Sequence, residues 1–404
     1  MRRVASLLPA LVLLAAPAAP QIAVRGETVY TMAGAPLRDG VVLVRGGKIE
    51  RVGAASQVRV PSGWRTLRAK VVTPGLVDAH SVVGIAGWLN QPHDQDQIEP
   101  SAPLQPELRA IDAYNPEDRL VDWVRSLGVT TLHTGHAPGT VVSGQTLVAK
   151  TRGRRVEDAV IVPAAMLAAT LGEGARTREE GKSPGTRAKA VALLRAELIK
   201  AQEHRRKRET AEKGKEPDRS LRLEALERVL AGEMPLLVTV HRAHDILSAL
   251  RLAQEFSLRI VLDGAAEAHL VTEPIRSSGA PVILHPTMAR DFGELENMTK
   301  AAASLLREAG IPFALQSGYE SYVPKTRVVL FEAGMAAAYG LSFEAALAAI
   351  TIDAAKLLGL DARVGSLEAG KDGDLALYDG DPFAWTTRCV ATVIEGEVVS
   401  EGAF

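Results

Sequence analysis

Apolar and polar positions along this chain fall into two rhythms. Between residues 22 and 72, short Val-rich runs at 22–31, 40–45, 48–52 and 65–72 are separated by Gly, Asp or Pro, a pattern that predicts strands. Gly46 and Gly47 mark a tight turn between two of them. The end of the chain repeats the pattern, with strand-like runs at 374–378 and 389–400. Two β segments that flank a different middle predict one small β-sandwich domain built from both termini, residues 19–73 with 361–404.

The middle, 74–360, alternates short apolar runs with helical stretches. Strands are predicted at 75–80, 129–134, 159–164, 236–241, 259–263, 281–285 and 312–317, with helical patterns such as 245–256 and 342–358 between or after them. This alternation predicts an α/β fold, a distorted (β/α)8 TIM-like barrel. An open doubly wound sheet is the competing architecture, but no Gly-rich dinucleotide fingerprint follows an early strand. Two stretches break the rhythm. Residues 86–115 are polar and Pro-rich and are expected over the barrel mouth. Residues 200–222 carry RRKR at 205–208 amid glutamates; the interleaved acids predict a solvated helix pair, with His204 exposed, rather than a basic docking patch.

Composition narrows the class further. The 404 residues carry a net charge of −1, so nothing in the overall charge favours nucleic acid or an anionic membrane as a partner. Hydrophobic residues make up 47% and aromatics 4%, which describes a packed Ala/Val/Leu core. Arg2 and Arg3, the apolar run 7–16 and small residues at 16–18 predict a signal peptide over 1–18, too short to span a bilayer. A periplasmic or secreted protein with no membrane span after signal removal is the expectation. Its single cysteine, Cys389, allows no internal disulfide.

Three motifs carry a family resemblance: VTPGLVDAH at 72–80, LRAIDAYNP at 108–116 followed by GVTT at 128–131, and VGSLEAGKDGDL at 364–375. Together they resemble the amidohydrolase superfamily, in its imidazolonepropionase-like branch. The resemblance covers nearly the whole chain after the predicted leader. It implies a β domain plus a distorted barrel, one or two divalent metals at the C-terminal ends of the strands, and hydrolysis of non-peptide, often cyclic, C–N bonds. A bound metal lowers the pKa of its water towards ~7 and so supplies hydroxide at neutral pH.

That pattern implies two histidines after the first strand, one after the fifth, one after the sixth, and an aspartate after the eighth. At these places the chain has His80 and Val82, then His241, then Asp263 with Gly264, then Gly318. Valine has no donor atom and glycine no base, while a catalytic zinc takes three protein ligands. His80, His241 and Asp263 are the candidate His₂-carboxylate set for one divalent metal, with no metal as the alternative. Candidate substitutes are His133 and His136 after the second strand, Glu173, and His285 after the seventh. Each histidine has a plain structural alternative, a bond to a loop carbonyl or water, and Asp263 has its own, a turn residue before Gly264. If Val82 and Gly318 are what disabled the site, Val82→His with Gly318→Asp, with or without Asp263→His, is expected to raise zinc affinity, each ligand adding a donor to a cavity already shaped for one.

Two functions follow. One is a C–N hydrolase with an altered site. The other is a non-catalytic relative that binds a small-molecule ligand or a partner protein, with an oligomer as a further expectation.

Overall fold

The computed structural model describes residues 21–176, 183–285, 287, 291–319 and 328–402. The expected leader at 1–18 lies outside them. Seventeen strands are present among the described residues. The first four are β1 (Gln21–Val29), β2 (Leu37–Arg45), β3 (Lys48–Ala54) and β4 (Arg65–Pro74). The middle contributes β5 (Leu76–Ser81), β6 (Val129–Thr134), β7 (Val142–Gln145), β8 (Leu147–Lys150), β9 (Val160–Val162), β10 (Leu167–Thr170), β11 (Leu236–Val240), β12 (Ile260–Gly264), β13 (Val282–Leu284) and β14 (Phe313–Leu315). The last three are β15 (Leu375–Tyr378), β16 (Cys389–Ile394) and β17 (Glu397–Glu401).

Strands from both ends of the chain share one seven-stranded sheet, in the order β17-β16-β15-β4-β1-β2-β3. The seam is the antiparallel pairing of β4 with β15, from Pro74↔Leu375 to Val71↔Tyr378. Ile22, Val24, Val42, Val44, Val72, Leu375, Leu377 and Val393 form the apolar core of this unit.

The middle strands form a distorted ring. A six-stranded sheet (β14-β13-β12-β11-β10-β7) and a four-stranded sheet (β5-β6-β8-β9) share its circumference, and among the described residues no single ladder closes on itself. Residues 142–150 join the two, since β7 pairs antiparallel with β10 and β8 pairs antiparallel with β6. On the far side, one isolated bridge, Ser81↔Gly318, links β5 to the end of β14. Strands β5, β6, β11 and β12 are buried at every position, as expected for staves covered by helices outside and side chains inside. Two sequence expectations change. The apolar run 159–164 is not a stave: it ends a short helix, and β9 then pairs only with β8 at a sheet edge. The staves between β6 and β11 are residues 142–150 and β10 instead.

The long excursion after β5 lies along β7. Gln105 N donates to Val142 O (2.9 Å), Gln145 N to Leu108 O (2.8 Å) and Ala137 N to Gln97 O (2.7 Å). Residues 200–222 do belong to a helix pair, Arg187–Thr210 and Leu221–Leu230. His204, expected at the surface, is buried there, between Glu227 Oε1 at 2.5 Å and the Asp218 carbonyl at 3.1 Å. Among the described residues no helix is long and apolar enough to cross a membrane.

Candidate functional site at the barrel mouth

Strand periodicity builds the site in layers. Val77, Leu237, Val261, Ile283 and Ala314 meet inside the ring as an apolar plug. Two residues further along the same inward faces stand Thr239, Asp263, His285 and Gln316, so the layer above the plug is polar. His241 and Gly318 come next. His80 belongs to this layer through an irregularity in the pairing of β5 with β6, between Asp78 and Ser81.

Asp263 is the centre of the layer. His80 Nδ1–H donates to its Oδ1 at 2.9 Å, Gln316 Nε2 to the same oxygen at 2.7 Å, and the Thr239 hydroxyl to Oδ2 at 2.6 Å. Both partners of the His80–Asp263 pair are under 5% exposed. Burial by itself raises the Asp263 pKa, but the His80 charge and these three donors outweigh it and hold the carboxyl down at about 2. On His80 burial acts the other way, lowering the pKa, and is outweighed by Asp263, so the imidazole is shifted up. A second carboxyl, Asp78, accepts from Ser317 N (3.0 Å) and His80 N (3.3 Å), while burial pushes its pKa up to about 7.

The other candidate residues are spread around this centre. His133 is fully buried and uses both nitrogens: Nδ1–H donates to Ala79 O at 2.5 Å and Nε2 accepts from Thr146 Oγ1 at 2.7 Å. Burial lowers its pKa to about 3. That is the structural role, and it leaves no nitrogen for a ligand. His136 packs against Gly144, and burial lowers its pKa against the opposing pull of Asp96. Glu173 lies in the loop after β10, where its backbone N–H donates to Glu294 Oε1 at 2.5 Å. His241 is half-buried, with burial lowering its pKa, and its ring covers Gly264.

The two positions that break the expected ligand pattern are also explained by packing. Val82 is 2% exposed in an apolar cluster with Ala86 and Ala137, against which Ile98 and Tyr319 pack. Gly318 has φ +67°, and a Cβ there would lie 2.7 Å from the His285 ring. An aspartate at 318 would need a left-handed backbone and the space His285 fills. The expectation that an aspartate restored at 318 adds a ligand therefore meets an obstacle, since the His285 ring fills that space.

The donor set can be tested against the metal that the resemblance implies. Both Asp263 oxygens already accept hydrogen bonds, Val82 is sealed in apolar contact, and position 318 has no side chain. His80 Nε2 and His241 Nδ1 are buried without hydrogen-bond partners among the described residues, but two nitrogens fall short of three ligands. No group of three His, Cys, Asp or Glu side chains is arranged to hold a metal among the described residues. The residues present do not fit the implied ligand set. Sequence reasoning missed Thr239 and Gln316, although each lies two positions before a singled-out residue, His241 or Gly318, on the same strand face.

Comparisons with known proteins agree with this architecture. The model of the "Amidohydrolase family" matches residues 247–400. A crystal structure of an amidohydrolase from Thermotoga maritima MSB8 superposes with a TM-score of 0.89 at 30% identity, covering 94% of this chain and all of that one. The imidazolonepropionase of Methylobacterium nodulans is 25% identical over 395 residues, 85% of this chain and 88% of the relative. Amidohydrolase tasK of Hapsidospora irregularis is 26% identical over 389 residues, 88% of this chain, which spans only 39% of that relative's length. On the full-length match at 30% identity, together with the barrel and the composite sheet, the chain belongs to the amidohydrolase superfamily, in its imidazolonepropionase-like branch.

Proposed function

We propose that this chain has kept the amidohydrolase barrel as a recognition scaffold and has lost the metal-hydroxide turnover of its lineage. The ligand class proposed is the one suggested by its hydrolase relatives, a small non-peptide C–N compound such as a cyclic amide. A partner protein at the same mouth is the alternative occupant. One observation carries the reading: the position where the lineage places its aspartate is Gly318, with the His285 ring packed over it. Without a carboxylate there, no group at that position takes a proton from an attacking water, a role typically worth ~10²–10⁴-fold in rate.

A hydrolase with a relocated site is the second reading. It is favoured by the placement of two rings, His241 over Gly264 and His285 over Gly318, beside buried Asp263. Its demand is activity that depends on one of these rings. The test is a hydrolysis screen of ring amides, N-acyl amino acids and dipeptides with zinc, manganese or cobalt added, run on wild type, His241→Ala and His285→Ala. The expected outcome is no turnover above background, with saturable binding of a ring amide by calorimetry. Robust turnover that either substitution abolishes would replace recognition with catalysis.

A further inference from the structure

The polar layer at the mouth inverts the charge pattern of a metal site. In the implied pattern, ligands from the first, fifth, sixth and eighth staves surround a cation. Here donors from the same staves surround an anion: His80 on β5, Thr239 on β11 and Gln316 just after β14 all converge on Asp263 of β12. Gln316 Nε2 also donates to Ile283 O on β13 at 3.0 Å, so five staves are tied through one carboxylate and one amide.

This convergence lies where the ring is thinnest. Between β14 and β5 there is no ladder among the described residues, only the Ser81↔Gly318 bridge, with Gly318 N donating to His80 O at 3.2 Å. The neighbouring Asp78 carboxyl, which accepts from both Ser317 N and His80 N, adds a tie across the same gap. A seam with so few backbone bonds must be held by side chains, and Asp263 with Gln316 and His80 supplies that hold.

We infer that Asp263 is an internal replacement for the metal: a buried carboxylate that braces the first, fifth and eighth staves and makes the fold independent of any divalent ion. The inference deepens the functional reading above and rests on its premise that position 263 is not a metal ligand. It predicts that a purified chain carries far less than one metal atom, and that neither EDTA nor added zinc moves its melting temperature, because an ion bound only by the folded state would raise it. Thr239→Val and Gln316→Met each remove one donor while keeping volume, and are expected to lower the melting temperature by about 1–4 °C. Asp263→Asn, which removes the buried negative charge that His80 and Gln316 donate to and sets an NH2 group against the Thr239 hydroxyl, should cost more.

If Asp263→Asn does not fold, the two milder variants still decide the matter. Near-stoichiometric metal, a melting temperature lowered by EDTA, or Thr239→Val and Gln316→Met variants that melt like wild type would each overturn the brace. The outcomes separate the two claims. Turnover in the substrate screen with these melting results intact would overturn only the recognition reading, whereas bound metal without turnover would overturn only the brace.

Discussion

Two buried ionic centres, one at the barrel mouth and one at the junction with the seven-stranded sheet, are mirror images in charge. At the mouth an anion, Asp263, collects donors from three other strands. At the junction a cation, Lys150 at the end of β8, is 1% exposed and meets Asp372 at 3.1 Å and Asp374 more closely still. Asp372 is shared with Lys48 (2.5 Å) and Arg363 (3.0 Å), and Asp374 Oδ1 accepts from Glu395 N at 2.9 Å. Both aspartates belong to the 364–375 motif, which carries the chain from barrel back to sheet. The junction centre is plainly architectural. The mouth centre occupies a catalytic address, yet its central group is just as saturated. A charged residue at a strand end becomes chemically available only if an atom on it remains unpaired, and by that measure the mouth offers His80 Nε2 and His241 Nδ1 rather than Asp263.

The largest effect expected from this contrast is at the junction. Lys150→Met would leave Asp374 buried without its cation, and breaking a buried pair from one side costs about 3–5 kcal/mol. Lys48→Ala, which removes an ion-pair partner whose own side chain is 52% exposed, should cost under ~1 kcal/mol. Urea unfolding of both variants reads the difference; equal losses would mean that the junction is wetter than its burial indicates.

Next in size is Gly318→Asp. A left-handed backbone held by a residue with a side chain costs of order 1–3 kcal/mol, and contact with the His285 ring adds to it, so a loss of about 2–4 kcal/mol is expected. Zinc titration by calorimetry should show no gain in affinity. Adding His285→Ala should recover part of the lost stability by opening the space. Tight zinc binding by Gly318→Asp alone, at wild-type stability, would show the mouth to be more adaptable than its packing implies.

Much of the fold was legible in the sequence because parallel staves are buried on both faces and read as continuous apolar runs; the strand positions at 75–80, 129–134 and 236–241 are of this kind. Strand 142–150 was not legible. Its Ser143, Gly144, Gln145 and Thr146 interrupt the apolar pattern, because its neighbours include an excursion loop and the His133 ring rather than helices alone. The run 159–164 misled for the converse reason, being apolar but at an edge. At the mouth, His80 and Asp263 stood out by residue type and lie 2.9 Å apart. Thr239 and Gln316 did not, since a threonine or glutamine near a strand end looks the same whether it faces solvent or completes a carboxylate's hydrogen bonds. His204 was hidden by its surroundings: local charge density predicted exposure, but burial came from a helix folded back across it.

The last effect expected, nearly cancelled in the wild type, concerns two groups that flank His80 and titrate with opposite sign. Asp78 has its folded pKa raised by burial from 3.8 to about 7, so it contributes stability that is full below ~4 and is lost as pH rises through 7. His133 has its folded pKa lowered by burial from 6.5 to about 3, so it contributes stability that is full above 6.5 and is lost as pH falls towards 3. Between about pH 4 and 6.5 the two slopes, each about 1.4 kcal/mol per pH unit for one proton, oppose and nearly cancel. His80, shifted up, acts above this window, and Asp263, held at about 2, acts below it. Asp78→Asn keeps an acceptor for Ser317 N and His80 N but cannot ionise, so it should unmask the His133 slope and lose stability relative to wild type as pH falls from 6.5 to 4.5. His133→Gln should tilt the other way and gain relative stability over the same interval. Urea midpoints at pH 4.5, 5.5 and 6.5 for the three proteins measure both tilts. Variants that track wild type in parallel across the window would mean that neither group changes its proton on unfolding there, and that the mouth reaches solvent more freely than its buried hydrogen bonds require.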